Sequence, residues 1–265
     1  MGTENMSLGT RMKRYERVSF GLLTRRMPVI IRVDGKAFHT FTRGLVKPHD
    51  QAMINSMTNA AIALVNGIQG AQLAYVQSDE ISVLLTDYVN FSTEAWFDYE
   101  VQKMVSVSAS IATASFNHIW KKTMSDRADD ECLKINAKEW REKEERTALF
   151  DSRCFNVPRE EVVNAFIWRQ QDAIRNSIQG LAQSLFSHKE LHGLSCNQLQ
   201  EKMWQEKQVN WNDLDDYKKR GWCVLKNLDA ESERTTTGPD WETPEFSQAR
   251  DYIDQFVYPA DEEGK

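Results

Sequence analysis

Runs of apolar residues that end at polar turns indicate several β-strands in the part of the chain before Pro158. The first run is nearly continuous, which is typical of a strand buried on both faces. The second and third runs meet at a polar corner, Ser78 to Glu80, and the fourth ends before Pro158. The four predicted strands are residues 29–34, 71–77, 81–88 and 149–157.

Apolar residues that recur every three or four positions predict long helices at 50–66, at 94–121 and, beginning after Pro158, at 159–186. The resulting order of strand, helix, strand, strand, helix, strand is that of the ferredoxin-like βαββαβ fold, which polymerase palms and nucleotide cyclases also use. We therefore predict an α+β protein with a palm-like catalytic domain and a helical C-terminal extension. The predicted boundaries are residues 1–158 and 159–265.

The segments outside these elements are polar. We predict that residues 1–28 form an N-terminal arm with a short helix. Residues 229–245 are rich in turn-forming residues, so we predict a mobile loop there. The last twenty residues predict one or two helical turns and an acidic tail.

Composition restricts the classes of function. The formal net charge of −6 gives no overall positive field, so any contact with nucleic acid must come from local basic clusters. The four cysteines form no CxxC pair, which favours reduced thiols in a cytoplasmic protein. No apolar run approaches the roughly 18 residues that span a bilayer, so no membrane partner is expected.

Two acidic positions at strand ends carry the strongest chemical signal. Asp34 ends the first strand, and Asp79 with Glu80 forms the corner between the second and third strands. A single buried Asp more often has only a structural role, but acidic side chains on neighbouring buried strands repel each other unless a cation lies between them. Carboxylate oxygens suit Mg²⁺, so we predict a two-ion site for phosphoryl or nucleotidyl transfer, with the Gly35 carbonyl completing the shell.

The turn after the first strand predicts a phosphate contact. Residues 35–39 lead from a strand towards a helix, where successive backbone N–H groups point to one place. Lys47 adds a cation near the same opening, although it could equally be a solvated loop residue. Neither a P-loop nor a Rossmann motif is present in the sequence.

Basic residues outside this site are candidates for phosphate contacts if nucleic acid binds. The alternative is that they only make the surface soluble. The candidates for tRNA contact lie in the arm, on the first strand, on the helix after Pro158 and near the C-terminus: Arg11, Lys13, Arg32, Arg169, Lys218, Lys219 and Arg220.

Five separate segments resemble the tRNA(His) guanylyltransferase family, in the right order and in register from residue 8 to residue 225. They read RVDGKAFHTF (32–41), KPHD (47–50), QSDEIS (77–82), FDSR (150–153) and WRQQD (168–172). The resemblance implies an enzyme that extends RNA in the 3′-to-5′ direction. The tRNA 5′ end is activated, by adenylylation with ATP or as a triphosphate, and the 3′-hydroxyl of an incoming nucleotide attacks the activated phosphate. GTP or another nucleoside triphosphate is the second substrate, and family members are usually tetramers.

The resemblance also implies roles for individual residues. Asp34, the Gly35 carbonyl and Asp79 would hold two magnesium ions, with Glu80 beside them as a third catalytic position. The remaining implied nucleotide-binding residues are Lys36, Ala37, Phe38, His39, Lys47, Asp50, Ser78 and Lys103, and Arg32 matches a further basic position.

Two departures from the family pattern bear on the substrate. Eukaryotic members that add the extra guanosine to tRNA(His) carry His-Ile-Asn-Asn where this chain has residues 174–177, Ile-Arg-Asn-Ser, and His49 replaces an asparagine. Residues 187–193 (SHKELHG) and 211–212 (WN) resemble instead the guanylyltransferase-like proteins of bacteria, archaea and phages, which prefer template-dependent repair of truncated tRNA 5′ ends. We therefore predict a reverse polymerase with repair activity.

Three alternatives remain open. The chain could be a dedicated tRNA(His) guanylyltransferase. It could instead be a nucleotide cyclase-like signalling enzyme, which shares the fold and needs no tRNA. A non-catalytic tRNA-binding module is the third, although such a protein has no physical reason to retain two mutually repelling carboxylates.

Overall fold

The computed structural model describes residues 6–129, 137–228 and 235–258. Within these ranges the strands form one six-stranded sheet in which all neighbouring strands are antiparallel. The strands are β1 (Val29–Gly35), β2 (Ala71–Gln77), β3 (Glu80–Leu85), β4 (Phe150–Asn156), β5 (Trp222–Leu228) and β6 (Thr235–Asp240). Their order is β4–β1–β3–β2–β5–β6, so the first four strands have the arrangement of a ferredoxin-like palm, with β1 and β3 adjacent.

Helices cover both faces of this sheet. The helices are α1 (Leu8–Glu16), α2 (Phe38–Phe41), α3 (Gln51–Gly67), α4 (Val101–Asp129), α5 (Ala137–Glu144), α6 (Arg159–Leu185), α7 (His188–Leu191), α8 (Cys196–Lys207), α9 (Asp216–Arg220) and α10 (Asp251–Val257). Among the described residues, no helix is both long and apolar enough to cross a lipid bilayer.

Alternation along β1 divides the core between the two faces of the sheet. Ile31 and Val33 pack in the same buried cluster as residues of α3 and α4, such as Met57 and Phe116. Ile30 points to the opposite face and packs in a second cluster with Phe166 of α6. Because β1 is buried on both sides, its apolar run is continuous, as the sequence predicted.

The C-terminal extension is not purely helical. After α6 to α9 the chain returns to the sheet, where β5 pairs with β2 and β6 pairs with β5. The predicted mobile loop at 229–245 is therefore wrong for β6 (Thr235–Asp240), while residues 229–234 lie outside the described residues. The extension therefore contributes strands to the palm's own sheet. The predicted division into two domains at residue 158 stays a prediction.

Other boundaries differ less. The helix expected at 94–121 begins at Val101, because Phe97 and Asp98 adopt left-handed backbone conformations that a right-handed helix does not accommodate. The short helix predicted in the arm is α1, and the C-terminal turns are α10. The acidic tail lies outside the described residues.

Candidate active site

Three carboxylates lie side by side on one face of the sheet. Asp34 on β1 is in register with Glu80 on β3 and with Asp151 on β4. Paired residues on neighbouring antiparallel strands point to the same face, and by alternation Asp34 shares the face of Ile30, which α6 covers. We call Asp34, Glu80 and Asp151 the acidic row. Asp151 was not predicted as a site residue, because only the strand register reveals its position.

Asp79 adjoins this row at the end of the sheet. It lies with Ser78 in the two-residue turn between β2 and β3, since Gln77 pairs with Glu80. The N–H of Gly35 donates to the Asp79 carbonyl at 3.0 Å, and Ser78 Oγ donates to Asp79 Oδ1 at 3.0 Å. The fold thus brings the predicted metal-binding residues Asp34, Gly35 and Asp79 to one corner.

Negative charge accumulates at this corner. Burial, together with the charges of Glu80 and Asp151, raises the pKa of Asp34 above its usual range. Burial likewise raises the pKa of Asp79 and outweighs the opposing hydrogen bond from Ser78, while the charges of Asp34 and Glu80 add smaller increases. A bound cation would relieve this repulsion.

The donor set fits magnesium as a partial shell. No three His, Cys, Asp or Glu side chains of the described ranges meet as a preformed metal site. The predicted set contains only two carboxylates and a backbone carbonyl. Mg²⁺ commonly binds through one or two carboxylates and takes its other ligands from water and substrate phosphates, so Asp34 and Asp79 suit an ion that arrives with a nucleotide.

Gly35 is required by the sharp turn that follows β1. A Cβ at this position would lie 2.3 Å from a ring carbon of Phe38. The Phe38 ring itself is buried in the core, with ring centroids 5.0 to 5.5 Å from those of Phe41, Phe116 and Phe150. Phe38 can therefore meet a nucleotide only through its backbone, and its side chain fixes the turn.

The prediction that all the backbone N–H groups from residue 35 onward face phosphate needs correction. The Gly35 N–H is bonded to the Asp79 carbonyl, and the Lys36 N–H donates to the Leu149 carbonyl at 2.8 Å. Ala37 has a left-handed conformation and precedes α2, whose first N–H groups have no partner within the helix itself. Ala37, Phe38 and His39 thus remain the candidates for backbone contacts. The side chains of Lys36 and His39 are exposed.

A cleft of about 660 Å³ opens beside Asp79 and Gly35. One wall comes from α2, the start of α3 and the loop between them, and it carries Lys47 and His49. The other wall comes from α6 and α9 of the extension, and it carries Lys218 and Lys219. The cleft therefore presents cations on both sides of an acidic corner, which suits a triphosphate with a bound divalent ion.

His49 is neutral at physiological pH in this environment. Burial, with a contribution from the charge of Lys218, lowers the pKa of His49 from 6.5 to about 4. The same interaction indicates that the two cleft walls approach each other at these residues.

Asp50 lines the cleft, and its contacts within the protein favour a positioning role, while its predicted contact with nucleotide stays a prediction. It is buried at the start of α3, where it accepts hydrogen bonds from the backbone N–H groups of Val46 and Ala52 at 3.1 and 2.8 Å. Arg127 donates to it at 3.0 Å. Although burial opposes this, these bonds lower the pKa of Asp50. Both carboxylate oxygens are engaged, so Asp50 fixes the loop that carries Lys47.

Glu80 and Arg169 pair with each other, which changes the prediction for both. Arg169 Nε and Nη2 donate to Glu80 Oε1 and Oε2 at 2.7 and 2.8 Å, and Arg169 also contacts Asp172. Glu80 is charge-balanced and is not an open metal ligand. The guanidinium of Arg169 lies in the interior and not on an open RNA-binding surface.

The other basic residues lie in four different places. Lys218 and Lys219 line the cleft, where their ammonium groups lie 2.6 and 3.1 Å from the carboxylates of Asp215 and Asp216, so a bound phosphate would compete with these pairs for the two lysines. Arg220 is held between Asp216 and the Thr243 carbonyl. The remaining predicted residues lie elsewhere: Lys103 is paired with Glu100 at the start of α4, and Arg11 and Lys13 are exposed on α1. Their predicted roles stay predictions.

The palm-like sheet, the acidic corner and the adjoining cleft together define a nucleotidyltransferase of the polymerase-palm class. The chain belongs to the tRNAHis guanylyltransferase (Thg1) family, whose family model matches residues 9–158.

Solved structures and curated relatives agree with this assignment. A bacterial tRNA(His) guanylyltransferase (Thg1)-like protein in complex with ATP is 43% identical, with a TM-score of 0.83 over 95% of this chain and 99% of that one. A bacterial Thg1-like protein in complex with GTP is 40% identical, with a TM-score of 0.75 over 96% of this chain and 100% of that one. The tRNA(His) guanylyltransferase of Debaryomyces hansenii is 27% identical over 231 residues, which are 82% of this chain and 80% of that protein.

Proposed function

We propose that this protein is a magnesium-dependent 3′-to-5′ nucleotidyltransferase that adds nucleotides to the 5′ end of tRNA, with template-dependent repair as its reaction. The observation that carries the proposal is the corner where Asp34 and Asp79 meet beside a cleft with lysines on both walls. The bacterial Thg1-like structures were solved in complex with ATP and GTP, which supports a nucleoside triphosphate as the ligand of this chain.

Each part of the corner has a defined task in this proposal. Asp34, Asp79 and the Gly35 carbonyl would hold the magnesium ions. Bound magnesium supplies activation of the attacking 3′-hydroxyl and neutralises the triphosphate. Lys47, Lys218 and Lys219 bind and orient the triphosphate from the two walls of the cleft. The residues of this chain thus contribute mainly positioning and electrostatic stabilisation, which is the usual pattern for phosphoryl transfer.

The repair activity is favoured over dedicated tRNA(His) guanylylation by the segment at 174–177. Asn176 and Ser177 of this segment line the cleft. Ser177 Oγ donates to the Lys218 carbonyl at 2.7 Å and lies 3.1 Å from Trp211 Nε1, so Ser177 joins α6 to α9, the helix that carries Lys218. The histidine of the eukaryotic segment corresponds to Ile174 of this chain, so the side chain that distinguishes the dedicated enzymes is absent here.

The proposal includes a homotetramer in the cytoplasm. Support for association comes from the arm, where α1 has no buried residue. Leu8, Met12 and Tyr15 recur on one side of α1 and remain exposed, and Val18 and Phe20 continue the apolar surface. Analytical ultracentrifugation of the wild type and of a Leu8→Ser/Met12→Ser/Tyr15→Ser variant tests this part, because a monomeric wild type contradicts it.

The test of function is extension of 5′-truncated tRNAs with each opposing base varied and each nucleotide supplied in turn. Repair predicts addition of the nucleotide complementary to the opposing base, and loss of addition in Asp34→Asn and Asp79→Asn. Addition of guanosine to full-length tRNA(His) alone, whatever the opposing base, would instead establish the dedicated enzyme. Conversion of GTP to a cyclic product without RNA would establish the cyclase alternative.

A further inference from the structure

We propose that Trp168 is the stacking platform for the terminal base of the tRNA 5′ end, with Arg32 and Arg153 binding the adjoining phosphate. This inference rests on the proposed function and adds to it the position of the RNA end. In this proposal the free nucleotide lies in the cleft on one side of the acidic row, and the RNA end lies on the other side of the row.

Trp168 is an exposed aromatic residue beside the acidic row. It lies on α6 between buried residues Phe166 and Gln170, yet 55% of its surface is exposed. The guanidinium carbons of Arg32 and Arg169 lie 5.7 and 4.6 Å from its ring centroid. The arginines hold the indole in place, and the exposed remainder of the ring is open to a flat ligand.

Arg32 is a cation without a carboxylate partner. It is partly buried on β1, and among the described residues no Asp or Glu oxygen forms an ion pair with it. Its Nε is shielded from solvent and has no hydrogen-bond partner within the same ranges. Placing a guanidinium in such a position is costly unless an anion compensates it, so Arg32 is suited to bind an external anion.

The strand geometry gives this anion a defined position. Arg32 lies two residues before Asp34 on β1 and is in register with Arg153 on β4. Arg153 donates from Nη2 to Asp151 at 2.8 Å, and its half-exposed guanidinium has further N–H donors for a phosphate. Two residues of strand span about 6.7 Å, which is close to the step between successive phosphates of an RNA strand. A phosphate that reacts at the acidic row would therefore place the next phosphate of the same strand beside Arg32 and Arg153.

The position of Trp168 favours the RNA end over the free nucleotide. On α6 the cleft is lined from Ala173 onward, and Trp168 precedes that residue by five positions, or about 7.5 Å of helix. The cleft has its own lysines for the free triphosphate. Stacking on an aromatic ring is tolerant of base identity, which is what a repair enzyme needs at a terminus whose nucleotide varies.

The test uses tRNA that carries 2-aminopurine as its 5′-terminal base, with fluorescence and extension measured on the same protein. In the wild type, binding should quench the fluorescence through stacking. Trp168→Ala should abolish the quenching and raise KM for tRNA about tenfold, with KM for the nucleotide unchanged. Trp168→Phe, which keeps a ring, should retain most of the quenching.

Trp204→Ala is the matched control, because Trp204 is a similarly exposed tryptophan, at 51%, on α8 away from the acidic row. It should behave as the wild type in both measurements. Thermal denaturation of each variant checks that the fold is retained. If Trp168→Ala matches Trp204→Ala, or raises KM for the nucleotide instead of tRNA, the platform is refuted while wild-type extension still supports the proposed function. A wild type that neither binds nor extends the RNA refutes both.

Discussion

Arg169 on α6 donates one hydrogen bond to each carboxylate oxygen of Glu80 on β3, at 2.7 and 2.8 Å. The two side chains are only 13% and 10% exposed. This pair joins the helix that begins the extension to a central strand of the palm. It also balances one charge of the acidic row, and Arg153 balances a second by donating to Asp151 at 2.8 Å. Asp34 and Asp79 are therefore the carboxylates that the corner offers to a metal.

We expect Arg169→Ala to lower the free energy of unfolding by about 3–5 kcal/mol, because it leaves the Glu80 carboxylate nearly buried and unpaired. Urea denaturation measures this change. Arg141→Ala is the control, since Arg141 pairs with Asp129 at 60% and 66% exposure and should cost less than about 1 kcal/mol. The combined Glu80→Gln/Arg169→Met variant should recover part of the loss, because no uncompensated charge remains. Equal stability of Arg169→Ala and Arg141→Ala would contradict the structural role of the pair.

Asp79→Asn should stabilise the metal-free protein while it removes activity. Because burial and neighbouring carboxylates raise the folded-state pKa of Asp79, the folded protein holds a proton there more tightly than the unfolded chain. The metal-free wild type therefore loses stability as the pH rises through that pKa. In EDTA at neutral pH, the variant should be more stable than the wild type, and it should lose its stabilisation by added magnesium. Asp126→Asn, at an exposed position on α4, is the control. A variant that still extends tRNA at the wild-type rate argues against a metal at this corner.

Gly35→Ala should destabilise the protein by about 1–3 kcal/mol, the usual range for overpacking a core. The added methyl group would lie 2.3 Å from the buried Phe38 ring, so the turn or the ring must move. We also expect extension activity to fall, since the same turn holds Asp34 and Asp79 together. Gly238→Ala on β6 meets no atom within 4 Å and should leave stability and activity nearly unchanged. Thermal denaturation of both variants decides the comparison.

Stability should decrease as the pH falls from 6.5 towards 4, and His49 should account for part of the decrease. The folded-state pKa of His49 is lowered to about 4 from 6.5, so between these values the unfolded chain binds the extra proton. The stabilising effect is complete above the unfolded pKa and is lost on acidification. We expect His49→Asn to remove on the order of 2 kcal/mol of this dependence. Denaturant titrations at several pH values, with the exposed His118→Asn as the control, measure it. Parallel pH profiles of wild type and His49→Asn would refute the assignment.

The palm was predictable from sequence because its strands and helices carry strong hydrophobic patterns. β1 is a continuous apolar run, and α3 and α6 have clear helical periodicity, so their order gives the topology. β6 was missed because its residues, Thr-Thr-Thr-Gly-Pro-Asp, are those of a turn. Such a segment is compatible with an edge strand, where proline is tolerated, and only its pairing with β5 makes it a strand.

Those site residues that belong to a short local sequence motif could be predicted from the sequence. Asp34 and Asp79 each stand at a turn that the sequence shows. Asp151 enters only through the register of β4 with β1, and the Arg169 contact with Glu80 joins residues 89 positions apart. Asp50 illustrates the same limit, because the residue was identified but its partner Arg127 belongs to a distant helix. Local sequence thus gives the acidic positions, whereas tertiary packing decides which of them are free.

The two walls of the cleft belong to different parts of the chain, α2 and α3 on one side and α6 and α9 on the other. A nucleotide that fills the cleft must contact both walls. Its binding free energy would therefore stabilise the packing of the extension against the palm. At a hundredfold excess over Kd this coupling adds about 2.7 kcal/mol to folding stability. The nucleotide concentration in the cell would thereby change the fraction of the protein that is unfolded, in addition to the rate of the reaction.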